Sequence, residues 1–296
     1  MGMCYGVLPE RRLSGPFIQH SALDGRPPTR FFSCLERPNR ADSCATAATR
    51  AHSVFATAAG RPEADGPMHC TSTIAMTPPA ILLTSFGSFP GARTNPSGAV
   101  AALAAQLATR RLQRLGMRLV CAKLPVAFDA VAAQLAGLQS RHSPRAVLHL
   151  GLAASRKCVT PEARAVNRLT LRHADAAGRH SATPLVDKSG PAVLRVSLHA
   201  ASLARVVGHC GVAARVSRSA GDYVCNQTLY LSLLHSRGTG AWGQLVGFIH
   251  LPRPGNGQRP LSRAITRRAG LRAMARAIVA CLMLIAGRLR GPWAAR

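Results

Sequence analysis

Acidic residues and lysine are scarce in this sequence, whereas arginine is abundant. The chain has 38 basic residues and only 11 acids, which gives a formal net charge of +27 at pH 7, and aromatic residues make up only 4%. Only three of the basic residues are lysine, and the arginines are scattered rather than gathered in blocks with interleaved aromatics. No zinc-finger spacing, RNA-binding aromatic motif or basic heptad is present. We therefore expect no specific nucleic-acid partner, although this charge favours non-specific binding at low salt.

Paired cysteine spacings and long apolar runs are also missing. The nine cysteines are widely spaced without a Cys-x-x-Cys pair, which argues against a disulfide framework or a metal knuckle and suits a reducing cytosol. The N-terminus has no apolar signal core, and the most apolar run, residues 277–286, is too short to cross a bilayer. We predict a soluble, cytoplasmic protein without a membrane partner.

The N-terminal quarter of the chain differs from the rest. Residues 1–75 are rich in Pro, Ala, Ser, Thr and Arg, show no sustained helical or strand period, and hold six of the 11 acids. We expect this segment to be disordered, or to be upstream sequence included by a wrongly chosen start, with Met68 and Met76 as alternative starts. Residues 76–296 carry 30 basic residues against five acids and are expected to form the folded domain.

From residue 80 onward, short apolar strands alternate with amphipathic helices. Strands are predicted at residues 80–84, 118–122, 146–150, 163–169, 213–216 and 245–250. Helices are predicted at residues 96–115, 128–139, 198–209, 224–236 and 264–289, the first with Asn95 as its N-cap and Pro96 at its first position. The apolar positions of that first helix are Val100, Leu103, Leu107 and Leu112. This alternation is typical of an α/β fold with an open, mostly parallel sheet.

A single cysteine stands at a predicted helix start. Cys225 follows the Gly-containing turn in Ser219-Ala-Gly-Asp-Tyr-Val and opens the helix at residues 224–236. The unpaired N–H groups of a first helical turn favour an anion, so this thiol could ionise near neutral pH and act as a nucleophile. The alternative is a small buried hydrophobic residue, which is the usual role of a free cysteine.

Two further residues could complete a catalytic set with this thiol. His250 ends the strand at residues 245–250, where its ring would reach the cleft of an α/β sheet as a general base. Glu162 is the only glutamate after Glu63 and could orient such an imidazole and stabilise its charged form. The alternatives are a structural, hydrogen-bonded histidine and a surface ion pair between the glutamate and one of the many arginines.

Four blocks of the sequence carry a resemblance to a known family. In order along the chain, they are Ile81-Leu-Leu-Thr-Ser-Phe-Gly-Ser-Phe with Asn95-Pro-Ser, Gly151 to Glu162-Ala-Arg-Ala-Val-Asn, Ser219-Ala-Gly-Asp-Tyr-Val-Cys-Asn, and Gly247-Phe-Ile-His-Leu-Pro. Together they resemble the pyroglutamyl-peptidase I (pyrrolidone-carboxylate peptidase) family of cysteine peptidases over about residues 80–289. The resemblance implies a three-layer α/β/α sandwich that removes an N-terminal pyroglutamyl residue from peptides, without a metal or cofactor. It also implies Cys225 as nucleophile, His250 as base and Glu162 as orienting group.

The resemblance extends to substrate-binding positions. Phe86 and Phe89 match the family's phenylalanines that hold the lactam ring, although core packing would explain them equally well. Leu152 stands near the lactam site where many members have glutamine, and Val224 directly precedes the nucleophile. The further candidates in the glutamate block are Arg156 and Asn167. Ala154-Ser155 replace a glycine pair, and a positive φ there would strain the backbone.

Three functions remain in competition on this basis. The first is a pyroglutamyl peptidase acting on pyroglutamyl peptides. The second, motivated by Leu152 and the altered loop that follows it, is a related thiol amidohydrolase acting on another N-terminal group. The third, motivated by the positive charge, is a non-catalytic basic binding protein. The sequence leaves open the natural peptides and whether the chain forms a homo-oligomer.

Overall fold

The computed structural model describes residues 77–89, 91–238, 243–254 and 263–291, except for the side chains of residues 263–267. The predicted N-terminal extension, residues 1–75, lies outside this part of the chain. The strands are Ala80–Phe86 (β1), Arg118–Leu124 (β2), Ala146–Leu152 (β3), Thr160–Pro161 (β4), Arg164–Val166 (β5), Val193–Arg195 (β6) and Leu245–Leu251 (β7). The helices are Pro96–Arg114 (α1), Phe128–His142 (α2), Ala200–His209 (α3), Val224–Gly238 (α4) and Arg263–Arg290 (α5).

Five strands form one open sheet in the order β2-β1-β3-β7-β4. The β1 strand pairs in parallel with β2 and β3, and β3 pairs in parallel with β7. Only β4, at the edge, is antiparallel to its neighbour. Four strands therefore end at the same edge of the sheet, as in other open α/β proteins. A separate antiparallel pair is formed by β5 and β6.

Helices cover both faces of this sheet. On one face, α1, α3 and α5 share a core that includes Val100, Leu203 and Ile278. On the other face, α2 and α4 share a core with the β5–β6 pair, and Leu229 lies within it without solvent exposure. The predicted three-layer α/β/α sandwich is therefore confirmed.

The shortest elements depart from the sequence predictions. Residues 213–216, predicted as a strand, contribute only an isolated bridge between Ala214 and Val159. The strand predicted at residues 163–169 shortens to β5, and the strands β4 and β6 were not predicted. Segments of two or three residues carry too little hydrophobic periodicity to be recognised, because their pairing partners rather than their own sequence define them.

Two helix starts are stabilised by side-chain hydrogen bonds, one from a neighbouring residue and one from a residue that is distant in sequence. The Asn95 side chain accepts from Ser97 N at 3.0 Å, as predicted for an N-cap, and donates to Gly87 O at 2.9 Å. The start of α2 has no capping side chain of its own. Instead, the buried Asp175 carboxylate accepts from Phe128 N at 3.1 Å and thereby satisfies a first-turn donor.

A buried histidine links two strands to a helix. His149 on β3 has its Nδ1 2.6 Å from Thr84 Oγ1 on β1 and its Nε2 2.9 Å from Ser232 Oγ on α4. Burial lowers the pKa of His149 to about 3, so the ring is neutral at physiological pH. Both ring nitrogens have partners, which explains how a polar ring is tolerated in the core.

The α5 helix contains a stretch, Arg268–Arg290, that is long and apolar enough by length and composition to cross a membrane. The shorter run at residues 277–286 was predicted to be too short for this. A core helix meets the same criterion, and half of the most apolar window is buried within the fold. Leu282 and Ile285, for example, have no exposed surface and pack in the core shared with α1. The stretch is therefore only weak evidence for a membrane span.

The α1 helix offers a matched pair of leucines for testing this packing. Leu112 is completely buried, whereas Leu107, also predicted on the apolar face, is 51% exposed. We expect Leu112→Ala to lower the free energy of unfolding by about 2–5 kcal/mol because it leaves a cavity in the core. Leu107→Ala should change it by less than about 0.5 kcal/mol. Urea unfolding followed by circular dichroism measures both, and equal losses would contradict this orientation of α1.

Candidate active site

Three chain segments bring the predicted catalytic residues to the carboxyl end of the sheet. His250 lies near the end of β7, and Glu162 follows directly after β4, the antiparallel neighbour of β7. A main-chain hydrogen bond of 2.9 Å from Glu162 N to Phe248 O fixes the glutamate beside this strand. Cys225 is the second residue of α4, as predicted.

The histidine and the glutamate are directly bonded. His250 Nδ1 lies 2.8 Å from Glu162 Oε1, and both side chains are almost completely buried. A carboxylate can only accept, so Nδ1 carries the proton and donates it. The other ring nitrogen, Nε2, is then unprotonated, and no hydrogen bond from the described residues occupies it. This tautomer leaves Nε2 available as a base.

Arg156 connects this pair to the segment that precedes the nucleophile. Its Nη1 contacts Glu162 Oε1 at 2.6 Å and also donates to Thr160 Oγ1. Its Nη2 donates to Ser219 O at 2.8 Å. The guanidinium thus touches the carboxylate that holds His250 and the main chain six residues before Cys225.

A glycine on β3 allows the Cys225 sulfur to approach the sheet closely. Gly151 on β3 pairs with His250 in the parallel register. A Cβ at Gly151 would lie 3.0 Å from Cys225 Sγ and 2.7 Å from the Phe248 ring. The Cys225 sulfur therefore lies against the main chain of Gly151, the strand partner of His250. The sequence pointed to this glycine only as the first residue of a matching block.

The glutamate is held in its ionised form. Burial alone would raise the pKa of Glu162, but the hydrogen bond and charge of His250, with contributions from Ser217 and Arg156, keep this pKa below its ordinary value. These groups act mainly on Oε1, since the buried Oε2 receives no well-formed hydrogen bond from the described residues. The nearby Ser217 hydroxyl donates instead to Ser219 O at 3.2 Å.

The thiol differs from the sequence prediction of ready ionisation. Burial and, to a smaller extent, the Glu162 carboxylate raise the pKa of the Cys225 thiol to about 12, while Arg156 acts in the opposite direction. Desolvation and a nearby anion therefore both favour the neutral thiol. Burial also lowers the pKa of His250 below its ordinary value, although Glu162 opposes this shift. At neutral pH the site holds a neutral thiol, a neutral imidazole and an ionised carboxylate.

The first turn of α4 supplies donors for a developing oxyanion. Gln227 N is the first amide of this helix to bond backward, to Tyr223 O at 3.1 Å. Within the described residues, the preceding amides of the turn, including that of Cys225, have no acceptor. Such amides lie at the positive end of the helix and suit a negatively charged oxygen.

Aromatic rings gather next to the nucleophile. The half-buried rings of Phe89 and Tyr223 have centroids 6.3 Å apart, and Phe128 packs edge-on against Tyr223 at 5.4 Å. Phe86, in contrast, is buried against Phe248 at 6.3 Å. Tyr223 was not singled out by the sequence, although an aromatic residue two positions before the nucleophile was a visible signal. Phe89 and Tyr223 are the partly open rings of this group.

Other predicted site residues serve the packing around the site. Val224 is completely buried in the core on the α4 face. Asn167 uses its whole side chain on the loop at residues 186–190, donating to Asp187 O and Gly190 O and accepting from the amides of Val186 and Asp187. Among the described hydrogen bonds and ion pairs, none joins the side chain of Val224 or Asn167 to Cys225, His250 or Glu162.

Leu152 lies on the opposite face of the sheet from the nucleophile. Adjacent strand residues point to opposite faces, and Gly151 faces Cys225. Leu152 pairs with Leu251, which belongs to the core shared by α1, α3 and α5. The structure therefore does not bring Leu152 to the triad. The neighbouring Ala154 and Ser155 do not have a positive φ, so the anticipated backbone strain is absent from this loop.

The described residues contain no cluster suited to a metal ion. No group of three or more His, Cys, Asp or Glu side chains among them has a suitable arrangement. The site instead combines a thiol, an imidazole and a carboxylate, which are the groups that a nucleophile, base and orienting carboxylate require in covalent acyl transfer.

Comparisons with known proteins point to one family. A family model described as pyroglutamyl peptidase matches residues 79–258. A pyrrolidone-carboxylate peptidase from Gloeobacter violaceus is 36% identical over 172 residues, which is 58% of this chain and 80% of the relative. One from Pseudomonas fluorescens (strain SBW25) is 34% identical over 201 residues, or 65% of this chain and 89% of the relative.

Solved structures lead to the same family. The crystal structure of pyrrolidone carboxyl peptidase from Thermus thermophilus has 32% sequence identity and a TM-score of 0.56, covering 68% of this chain and 98% of that one. A pyrrolidone carboxyl peptidase from Pyrococcus furiosus has 26% identity and a TM-score of 0.60, covering 71% and 99%. The resemblance seen in the four sequence blocks is thereby confirmed, and the chain belongs to the pyroglutamyl peptidase family.

Proposed function

We propose that this protein is a cysteine peptidase that hydrolyses the N-terminal pyroglutamyl residue from peptides. The observation that carries the proposal is the buried hydrogen bond from His250 Nδ1 to Glu162 Oε1 in the same site as Cys225. Membership of the pyroglutamyl peptidase family supports the substrate class. Residues 76–296 are the proposed catalytic domain.

In the first half-reaction, the neutral thiol must lose its proton as it attacks. His250 Nε2 accepts the Cys225 proton while Sγ bonds to the pyroglutamyl carbonyl carbon. The resulting oxyanion is stabilised by the Cys225 amide at the start of α4. His250 then gives the proton to the leaving peptide amine, the C–N bond breaks, and a pyroglutamyl thioester remains on Cys225.

In the second half-reaction, water replaces the peptide amine. His250 removes a proton from the water as it attacks the thioester, and returns it to the departing sulfur. Pyroglutamate leaves and the neutral thiol is restored. In both halves the imidazole becomes positively charged for a moment, and the ionised Glu162 stabilises that charge and keeps Nδ1 protonated. Phe89 and Tyr223 are the proposed walls for the lactam ring.

We also propose that the enzyme works in the cytoplasm. The five cysteines of the described residues are all free, which suits a reducing compartment. An exposed thiol such as Cys210 would be open to oxidation elsewhere.

The function is tested by release of an amine from pyroglutamyl anilide under reducing conditions. We expect Cys225→Ala to lower kcat/KM by more than about 1000-fold, because the nucleophile of a cooperating set is removed. Cys210→Ala, an exposed cysteine outside the site, is the matched control and should retain full activity. The proposal fails if the wild type does not cleave this substrate, or if both variants behave alike.

The pH profile tests the assignment of charges. A neutral His250 is needed, and burial lowers its pKa, so kcat/KM should fall only below about pH 6.5, the ordinary value for histidine. Glu162→Gln removes the group that raises this pKa, so the acid limb should move to lower pH while the plateau falls. A shift toward higher pH would contradict the role given to Glu162.

Gly151 provides a test that leaves the three catalytic groups unchanged. We expect Gly151→Ala to abolish most activity, because the added methyl group would push against Cys225 Sγ and Phe248. Gly137→Ala on the exposed side of α2 meets no atoms within 4 Å and should leave kcat unchanged. Anilide turnover by folded protein, checked by circular dichroism, measures both. An active Gly151→Ala enzyme would show that the sulfur does not need this position.

A further inference from the structure

A cavity, which we call the basic pocket, lies beside the proposed active site. It has a volume of about 480 Å³ and its lining includes four cationic side chains, from Arg164, Arg168, Lys188 and Arg218. Its wall is built from β5, the loop at residues 185–192 and the segment at residues 218–219 that leads to the nucleophile. Asp187 lies in that loop, but it is not among the lining residues, and its Oδ1 accepts from Ser189 N and Ser189 Oγ.

The positive charge of the basic pocket is largely unbalanced. Within the described part of the chain, the one ion pair made by these four residues is Arg168 with Asp222, at 4.0 Å. Arg164 donates from Nε to a main-chain oxygen, Arg218 O, which does not neutralise it. Lys188 and Arg218 are exposed and have no carboxylate partner among the described residues. An anionic group that enters the basic pocket could therefore interact with Arg164, Lys188 and Arg218 without breaking an ion pair.

Two contacts connect the basic pocket to the catalytic residues. Ser219 in its wall accepts from Arg156, which also holds Glu162. Asn226, the residue after the nucleophile, accepts from Val166 N at 3.0 Å, and Val166 belongs to the same wall.

These contacts limit the distance between the two sites. The path from the Cys225 Cα to Val166 N runs through the next residue, Asn226, along its side chain and across its hydrogen bond to Val166 N. These steps together span at most about 10 Å. An extended peptide covers this distance in roughly three residues.

We propose that the basic pocket binds a carboxylate of the leaving peptide, two or three residues beyond the bond that is cut. The enzyme would then favour pyroglutamyl peptides with Asp, Glu or the free C-terminal carboxylate at that place. This inference rests on the proposed function, because it assigns the part of the substrate that follows the pyroglutamyl group. Guanidinium groups suit the purpose, since they donate hydrogen bonds to carboxylates in a matching planar geometry.

The general charge of the chain provides a rival explanation. A net charge of +27 attracts every acidic peptide, whatever part of the surface it approaches. The two explanations differ in how local the effect is. A preference that arises in the basic pocket depends on its own side chains, whereas a preference from the overall field depends only on the number of charges.

The experiment compares peptides that differ in one charge. The first pair is pyroglutamyl-Ala-Glu-Ala-amide and its Gln counterpart, and the second is pyroglutamyl-Ala-Ala with a free or an amidated C-terminus. These pairs distinguish a side-chain carboxylate from a terminal one. For at least one pair, we expect the acidic member to have a kcat/KM about fivefold higher in about 20 mM salt, and the difference to vanish near 0.5 M salt.

Two double variants with the same loss of charge decide between the explanations. Lys188→Gln/Arg218→Gln removes basic-pocket charges and should abolish the acidic preference. Arg111→Gln/Arg114→Gln removes two exposed charges from α1, on the opposite face of the sheet, and should preserve it. Equal turnover of acidic and neutral peptides by the wild type, or an equal effect of both variants, would overturn the proposal. If the wild type cleaves pyroglutamyl anilide but shows no preference, only this inference fails; if it does not cleave the anilide, the proposed function fails too.

Discussion

A buried carboxylate stays ionised only where donors surround it, and Glu162 imposes this requirement on the whole site. His250 and Arg156 both reach the same oxygen of this side chain. The antiparallel strand β4 has to lie beside β7 to bring the glutamate to the histidine, and the loop after β3 has to fold back to deliver the arginine. The edge of the sheet is therefore arranged around one negative charge, and that charge fixes the tautomer of the base.

The same charge disfavours ionisation of the Cys225 thiol. A carboxylate near a thiol raises the pKa of that thiol, and here it adds to the effect of burial on Cys225. Arg156 offsets part of this penalty, since it sits on the carboxylate and lowers the pKa of the thiol. The arginine thus reduces, without cancelling, the effect of the Glu162 charge on the thiol. In the proposed mechanism, the thiol therefore loses its proton as it attacks the substrate rather than beforehand.

The sequence was sufficient for the long elements and for placing Cys225 at a helix start and His250 at a strand end. Periodicity and caps revealed α1 and the parallel strands, whereas the burial of His250 at its strand end was not predicted. The protonation state of Cys225 could not be predicted from the sequence, because the burial of its thiol depends on neighbours such as Gly151 that are distant in sequence. The side of the sheet that Leu152 faces was also hidden, since it depends on the alternation and pairing of complete strands.

Thr84, His149 and Ser232 form a continuous chain of two hydrogen bonds. A neutral imidazole has one donor and one acceptor, and each hydroxyl can play either part. Thr84 can donate to Nδ1 while Nε2 donates to Ser232, or every hydrogen bond can run in the reverse direction. Both arrangements fit the same heavy-atom positions at 2.6 and 2.9 Å. The core can therefore keep its atoms fixed while its protons alternate between two orders, which preserves some entropy at a fully buried polar site.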